Sequence, residues 1–169
     1  MVSTSLFVLT VLSYTLAAAF TDLRQRRIPN ALTVPTAVAG LLFHTFAPGG
    51  WGPSTALLGF AIGFGLLFLP WCFGGGGMGD VKLLAALGAW FGPHWMLIAF
   101  ALGIALAAAL ALGVIAVHTV STSLAPLDSN SASAAIDVPT ARMLPFAVPV
   151  AIGAWMIVFW LVHQGVLAM

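Results

Sequence analysis

Charge is almost missing from this chain, and that scarcity decides what it can fold into. Five Lys or Arg and four Asp are spread over 169 residues, there is no Glu, and 62% of the sequence is hydrophobic against 5% charged. A soluble domain carries roughly 25% charged residues, so no ordinary aqueous surface can be built from this composition. Lipid is the solvent the sequence implies. At roughly 20 residues per span, the chain has room for at most about seven helices joined by short loops. One compact all-α transmembrane domain over residues 1–169 is therefore expected.

Apolar stretches bounded by Pro, Gly and charged residues predict six helices, at about 3–21, 31–47, 54–73, 81–92, 94–118 and 144–164. The fourth is short for a span and ends at Gly92-Pro93, so a partial span packed inside the bundle is the alternative for it. All five basic residues fall in the first, third and fifth connections: Arg24, Arg26 and Arg27, then Lys82, then Arg142. The positive-inside rule makes those connections cytoplasmic and puts both termini outside. The polar, Ser-rich stretch 119–143 reads as a flexible cytoplasmic loop. Residues 1–20 end in Ala17-Ala18-Ala19 like a cleavable signal, but the positive charge follows the apolar run instead of preceding it, so a retained first span is expected.

Several chemistries find no support. One cysteine, Cys72, allows neither an intramolecular disulfide nor a zinc site built on cysteine pairs. No basic patch exists to hold nucleic acid, and no serine lies in a G-x-S-x-G context. His44, His94, His118 and His163 show no metal-binding spacing and read as interfacial helix-end residues, so neither a metal nor a cofactor is expected. Trp51, Trp71, Trp90 and Trp95 near span ends suit an aromatic belt. Gly59 and Gly63 have the spacing of a helix-packing motif.

The carboxylates are more informative. Asp128 and Asp137 sit in the polar stretch and read as solvated loop charges. Asp22 ends the first apolar run and Asp80 starts the fourth, so the expected topology puts both at the cytoplasmic membrane surface. Ionisable groups at that depth are costly and are functional candidates by default. Two carboxylates sharing a site cannot both ionise cheaply, so one keeps a proton and the pair can act as acid and base together. The competing reading pairs Asp22 with Arg24 or Arg26 and leaves Asp80 to cap a helix. Asp80 follows the run Gly74-Gly75-Gly76-Gly77-Met78-Gly79, and glycine there permits close backbone approach and positive φ, which suits an extended peptide lying beside an acid. The run lacks the G-x-x-x-x-G-K-[ST] pattern of a nucleotide loop. Asp22 at a helix carboxyl end and Asp80 at a helix amino end would feel opposite fields, which assigns the shared proton more often to Asp22.

Three segments then carry a family resemblance. Gly77-Met78-Gly79-Asp80 is a G-x-G-D motif continued by Val81-Lys82-Leu83. Asp22-Leu23-Arg24-Gln25-Arg26-Arg27-Ile28-Pro29-Asn30 is similar to a D-x-[RK]-x-x-x-I-P-N segment, and Leu144-Pro145-Phe146-Ala147-Val148-Pro149 to an I-P-F-G-P-type segment, with Ala in place of Gly. In this order they resemble the type IV prepilin peptidases, a G-x-G-D aspartyl protease family of the inner (cytoplasmic) membrane, and the likeness covers nearly the whole chain. The resemblance implies an aspartic endopeptidase that removes a leader peptide from prepilin or pseudopilin precursors, with Asp22 and Asp80 as the catalytic pair. It implies supporting roles for Gly77, Gly79, Lys82, Pro145 and Phe146. Many members also methylate the new amino terminus through an extra cytoplasmic domain, often with paired cysteines. Only eight residues separate Asp22 from the second expected span, so the chain looks like the short, peptidase-only type associated with Flp/Tad pili. The alternative from another class is a small proton- or cation-coupled transporter using the two aspartates, although a transport site is expected nearer the midplane. Lys82 either contacts substrate or reaches for lipid headgroups, while Arg24, Arg26 and Arg27 orient the protein.

Overall fold

The computed structural model describes residues 2–47, 50–74, 77–123 and 146–166. These residues form five helices, α1 (Val2–Gln25), α2 (Asn30–Phe46), α3 (Pro53–Cys72), α4 (Met78–Ser123) and α5 (Ala147–His163), with no strand among the described residues. Three segments are long and apolar enough to cross a membrane: Ser3–Gln25, Pro53–Cys72 and Met78–Val117. The α5 helix is apolar but shorter. This is an integral membrane protein.

Five helices stand where six were expected because the fourth and fifth expected runs are two arms of α4. A straight helix of its 46 residues would be about 70 Å long, more than twice the roughly 30 Å of a bilayer core. The break falls at Gly92, whose φ of 68° and ψ of 178° are not helical. Pro93 starts the second arm, and it has no N–H to offer the carbonyl of Ala89. Other boundaries move as well. The α1 helix runs past the expected residue 21 to Gln25, which puts Asp22 inside its last turn. The start of α4 at Met78 places Asp80 within the first turn. Its far end reaches Ser123, so residues 119–123 of the expected loop are helical, and 124–143 lie outside the described residues.

The first arm of α4 is the centre of the molecule. Val81, Leu83, Leu84, Leu87, Ala89, Trp90 and Phe91 are all at most 1% exposed. A helix buried this completely needs neighbours that approach closely, and glycine supplies them. A methyl on Gly59 or on Gly88 would overlap the other glycine's carbonyl oxygen, and one on Gly63 would overlap that of Leu84. The Gly59/Gly63 spacing is therefore a packing device between α3 and α4. On the α2 side, Gly40 leaves room for the Trp90 indole, where a Cβ would stand 2.9 Å from Trp90 Cδ1. The indole Nε1–H then donates to the carbonyl of Thr36 at 2.8 Å. Outward-facing Leu9, Leu58, Leu69 and Phe159 are more than half exposed, as lipid-facing side chains are.

Polar groups inside this bundle are used to tie helices together. Trp155 of α5 donates from Nε1 to Thr15 Oγ1 of α1 at 2.8 Å. The Tyr14 hydroxyl donates to the carbonyl of Leu83 at 3.4 Å. His44, expected at the interface, is instead buried beside the α4 break. Its Nδ1 accepts from the backbone N–H of Trp51 at 3.3 Å, which leaves the proton on Nε2. That nitrogen, 2.8 Å away, donates to the carbonyl of Trp90.

Candidate active site

Asp22 and Asp80 lie toward one end of the bundle, at the end of α1 and the start of α4, with the start of α5 beside Asp22. Asp22 is half-buried in the last turn of α1. The helix is stopped four residues on by Arg26, whose N–H donates to the Asp22 carbonyl at 2.8 Å. Arg26 itself is left-handed, with φ of 50°, and is the one non-glycine with positive φ among the described residues. A left-handed residue is the usual way to end a helix, although glycine or asparagine normally fills it. The turn sends Ile28 into the core at 6% exposure. It also places Pro29 at the start of α2, where its carbonyl takes the N–H groups of Leu32 and Thr33 at 3.0 and 3.3 Å.

Asp80 is half-buried in the first turn of α4, where its N–H donates to the Gly77 carbonyl at 3.1 Å. Its carboxylate leans back over Gly77, with Oδ2 3.5 Å from where a Cβ on that glycine would stand. The positive φ expected of the glycine run falls on Gly74, at 84°. Gly75 and Gly76 lie outside the described residues. Gly79 is helical, and its Cβ position lies 3.5 Å from the Ile28 nitrogen, so the two motif segments touch there.

The two carboxylates lie within electrostatic reach of each other. Asp22 Oδ2 also accepts from the N–H of Ala147, the first residue of α5, at 3.4 Å. Phe146 stands at the cap position of that helix and packs against the hydrophobic core. Pro145 lies outside the described residues, as do Asp128 and Asp137. The contact with α5 changes the electrostatic argument. Asp22 sits at the carboxyl end of α1, but its side chain faces the amino end of α5, where the dipole favours negative charge. Asp80 stands at the amino end of α4. Both carboxylates thus face a helix amino terminus, which weakens the asymmetry that assigned the proton to Asp22.

The basic residues behave differently from the competing reading. The Arg24 guanidinium lies 5.1 Å from the centroid of the Phe20 ring, a cation–π contact. Lys82 Nζ donates to Asn30 Oδ1 at 2.8 Å. Neither the Asn30 contact nor the α5 amide at Asp22 was expected. Asn30 and Ala147 both stand inside the motif-like segments, but neither motif says which residue its partner will be, and Ala147 lies 125 residues beyond Asp22. Among the described residues, no group of three or more His, Cys, Asp or Glu could hold a metal ion. The arrangement brings two carboxylates within electrostatic reach, which suits acid–base chemistry on a water and a carbonyl.

The family model described as the type IV leader peptidase family matches residues 9–112, a stretch that holds both aspartates. Among curated relatives, the prepilin leader peptidase/N-methyltransferase of Aeromonas salmonicida is 32% identical over 152 residues, covering 85% of this chain and 45% of that protein. The Burkholderia pseudomallei protein of the same name is 39% identical over 106 residues, 53% of this chain and 32% of that one. That of Dickeya chrysanthemi is 37% identical over 102 residues, 52% and 35% respectively. The chain thus spans less than half the length of these relatives. No solved structure matches.

Proposed function

The chain belongs to the type IV leader peptidase family, and from that premise we propose that it is a membrane-embedded aspartyl endopeptidase with Asp22 and Asp80 as its catalytic pair. The observation that carries this reading is the convergence of the ends of α1, α4 and α5 on two carboxylates that feel each other's charge. One carboxylate, ionised, takes a proton from water as the water attacks the scissile carbonyl. The other, protonated, donates to the carbonyl oxygen and so stabilises the tetrahedral intermediate. As the C–N bond breaks, the first carboxylate passes the water's proton to the leaving amine and the second takes its proton back from the intermediate's hydroxyl, so the pair returns to its starting state. Acid–base help of this kind contributes about 10²–10⁴-fold.

The proposed substrate is a prepilin or pseudopilin precursor, whose leader is cut at the cytoplasmic face of the inner membrane. The proposed topology is multi-pass with both termini outside. The two arms of α4 count as separate crossings in it, and the support is the clustering of basic residues in alternate connections. We further propose that this segment cleaves without methylating the new amino terminus, as the short Flp/Tad type does. The support here is the connection between α1 and α2, only residues 26–29 long, and the single cysteine.

The test mixes membranes containing the protein with a prepilin precursor and follows leader removal by mass spectrometry. The parent should release the leader and leave an unmethylated amino terminus when a methyl donor is present. Asp22→Ala and Asp80→Ala should each lose cleavage. A parent that cleaves nothing would favour the transport reading, and a methylated product would overturn the peptidase-only assignment.

A further inference from the structure

We infer that Asn30 and Lys82 form a positioning pair that holds the Asp80 segment in register with the Asp22 segment. The inference rests on the proposed peptidase reading and adds to it two residues that act through others. Two contacts join the segments. Lys82 Nζ donates to Asn30 Oδ1 at 2.8 Å, and one turn away the Gly79 backbone lies against Ile28. Asn30 is the first residue of α2 and Lys82 lies in the opening turns of α4, so their bond spans the gap between the two helices whose starts flank the carboxylates.

The chemistry suits a fixed strut. Lys82 is half-buried, so its stem lies along the helix pair and only its head is free to choose a partner. Asn30 accepts with an amide oxygen and carries no charge, so the bond adds no third carboxylate to a site that depends on two. The residues between Asp22 and Asn30 include left-handed Arg26, a conformation unfavourable for a residue with a Cβ. The Ile28 and Asn30 contacts hold that path at its far end. Loss of the strut lets α4 shift against α1, and a misplacement near 1 Å costs about 10²-fold in rate.

This role differs from substrate contact in what it moves. Lys82→Met and Asn30→Leu should each lower kcat about ten- to a hundredfold with KM changed by less than about twofold. The double variant should fall no further than either single one, because one bond is lost in all three. Lys82→Arg keeps a donor and should recover most of the rate. A rise in KM with kcat unchanged, or single effects that multiply in the double variant, would overturn the pair.

A second readout does not depend on cleavage. With Cys72 replaced by Ser, spin labels at Arg24→Cys and Met78→Cys report the distance between the ends of α1 and α4. That distance should be narrowly distributed in the parent and in Lys82→Arg, and broadened to a similar extent in Lys82→Met, Asn30→Leu and the double variant. An unchanged distribution in Lys82→Met would overturn the inference, whatever the protein cleaves. A parent that cleaves no precursor, with the broadening still seen in the variants, would overturn the peptidase reading and leave the strut standing.

Discussion

Glycine does two different jobs in this molecule. Where α3 crosses α4, Gly59, Gly63 and Gly88 face backbone so closely that any side chain would overlap a carbonyl oxygen. Beside Asp80 the situation is reversed. A Cβ on Gly79 would make ordinary contacts with Ile28, and one on Gly77 would meet nothing closer than Asp80 Oδ2 at 3.5 Å. The crossing glycines answer to another helix of the same chain. The motif glycines do not, and Gly77 is exposed next to the carboxylate, on the side where the proposed mechanism lays the peptide. Fold and chemistry thus use the same residue type for separate reasons, and substitutions can tell them apart.

The largest effect on stability should come from the crossing. Gly59→Leu or Gly88→Leu forces α3 and α4 apart, and overpacking costs about 1–3 kcal/mol or more. Thermal unfolding in detergent should show a large loss of folded protein, and an unchanged midpoint would break the comparison. Next comes His44→Leu, which leaves the Trp90 carbonyl beside the α4 break without its donor. An unsatisfied buried acceptor costs about 1–3 kcal/mol, to be seen as a lowered unfolding midpoint.

At the motif the expectation changes sign between readouts. Gly79→Ala sits in a helix with room for the methyl, so stability should hold within about 1 kcal/mol. Gly77→Ala should do the same while cleavage falls about tenfold, because a methyl there stands between Asp80 and the peptide. Loss of fold in either variant would erase the distinction. The smallest effect belongs to Gly65→Ala, whose Cβ would meet nothing within 4 Å. It should be neutral or gain up to about 1 kcal/mol from helix propensity.

Much of this was legible before any coordinates. The scarcity of charge fixed the solvent, Gly92-Pro93 marked a break, and Gly59-x-x-x-Gly63 marked a crossing, because each depends on local composition or spacing. The two aspartates stood out for the same reason. What stayed hidden depends on which helices become neighbours. The α5 amide that meets Asp22, the His44 bond to Trp90 and the Asn30–Lys82 strut all join residues remote in sequence. The break at Gly92 was legible, but a glycine break can either separate two spans or bend one helix, and the sequence does not decide between them. The proton assignment was argued under the same blindness. It weighed the end of Asp22's own helix and could not see the start of another.

The central claim is that Asp22 and Asp80 work as one unit, and the most direct test is the cleavage rate of Asp22→Asn, Asp80→Asn and the double variant on one precursor. Groups that act together are strongly non-additive. The account predicts that each single variant loses about 10²–10⁴-fold and that the double variant loses no more than the worse of the two. A single variant cleaving at the parental rate, or losses that multiply in the double variant, would contradict it.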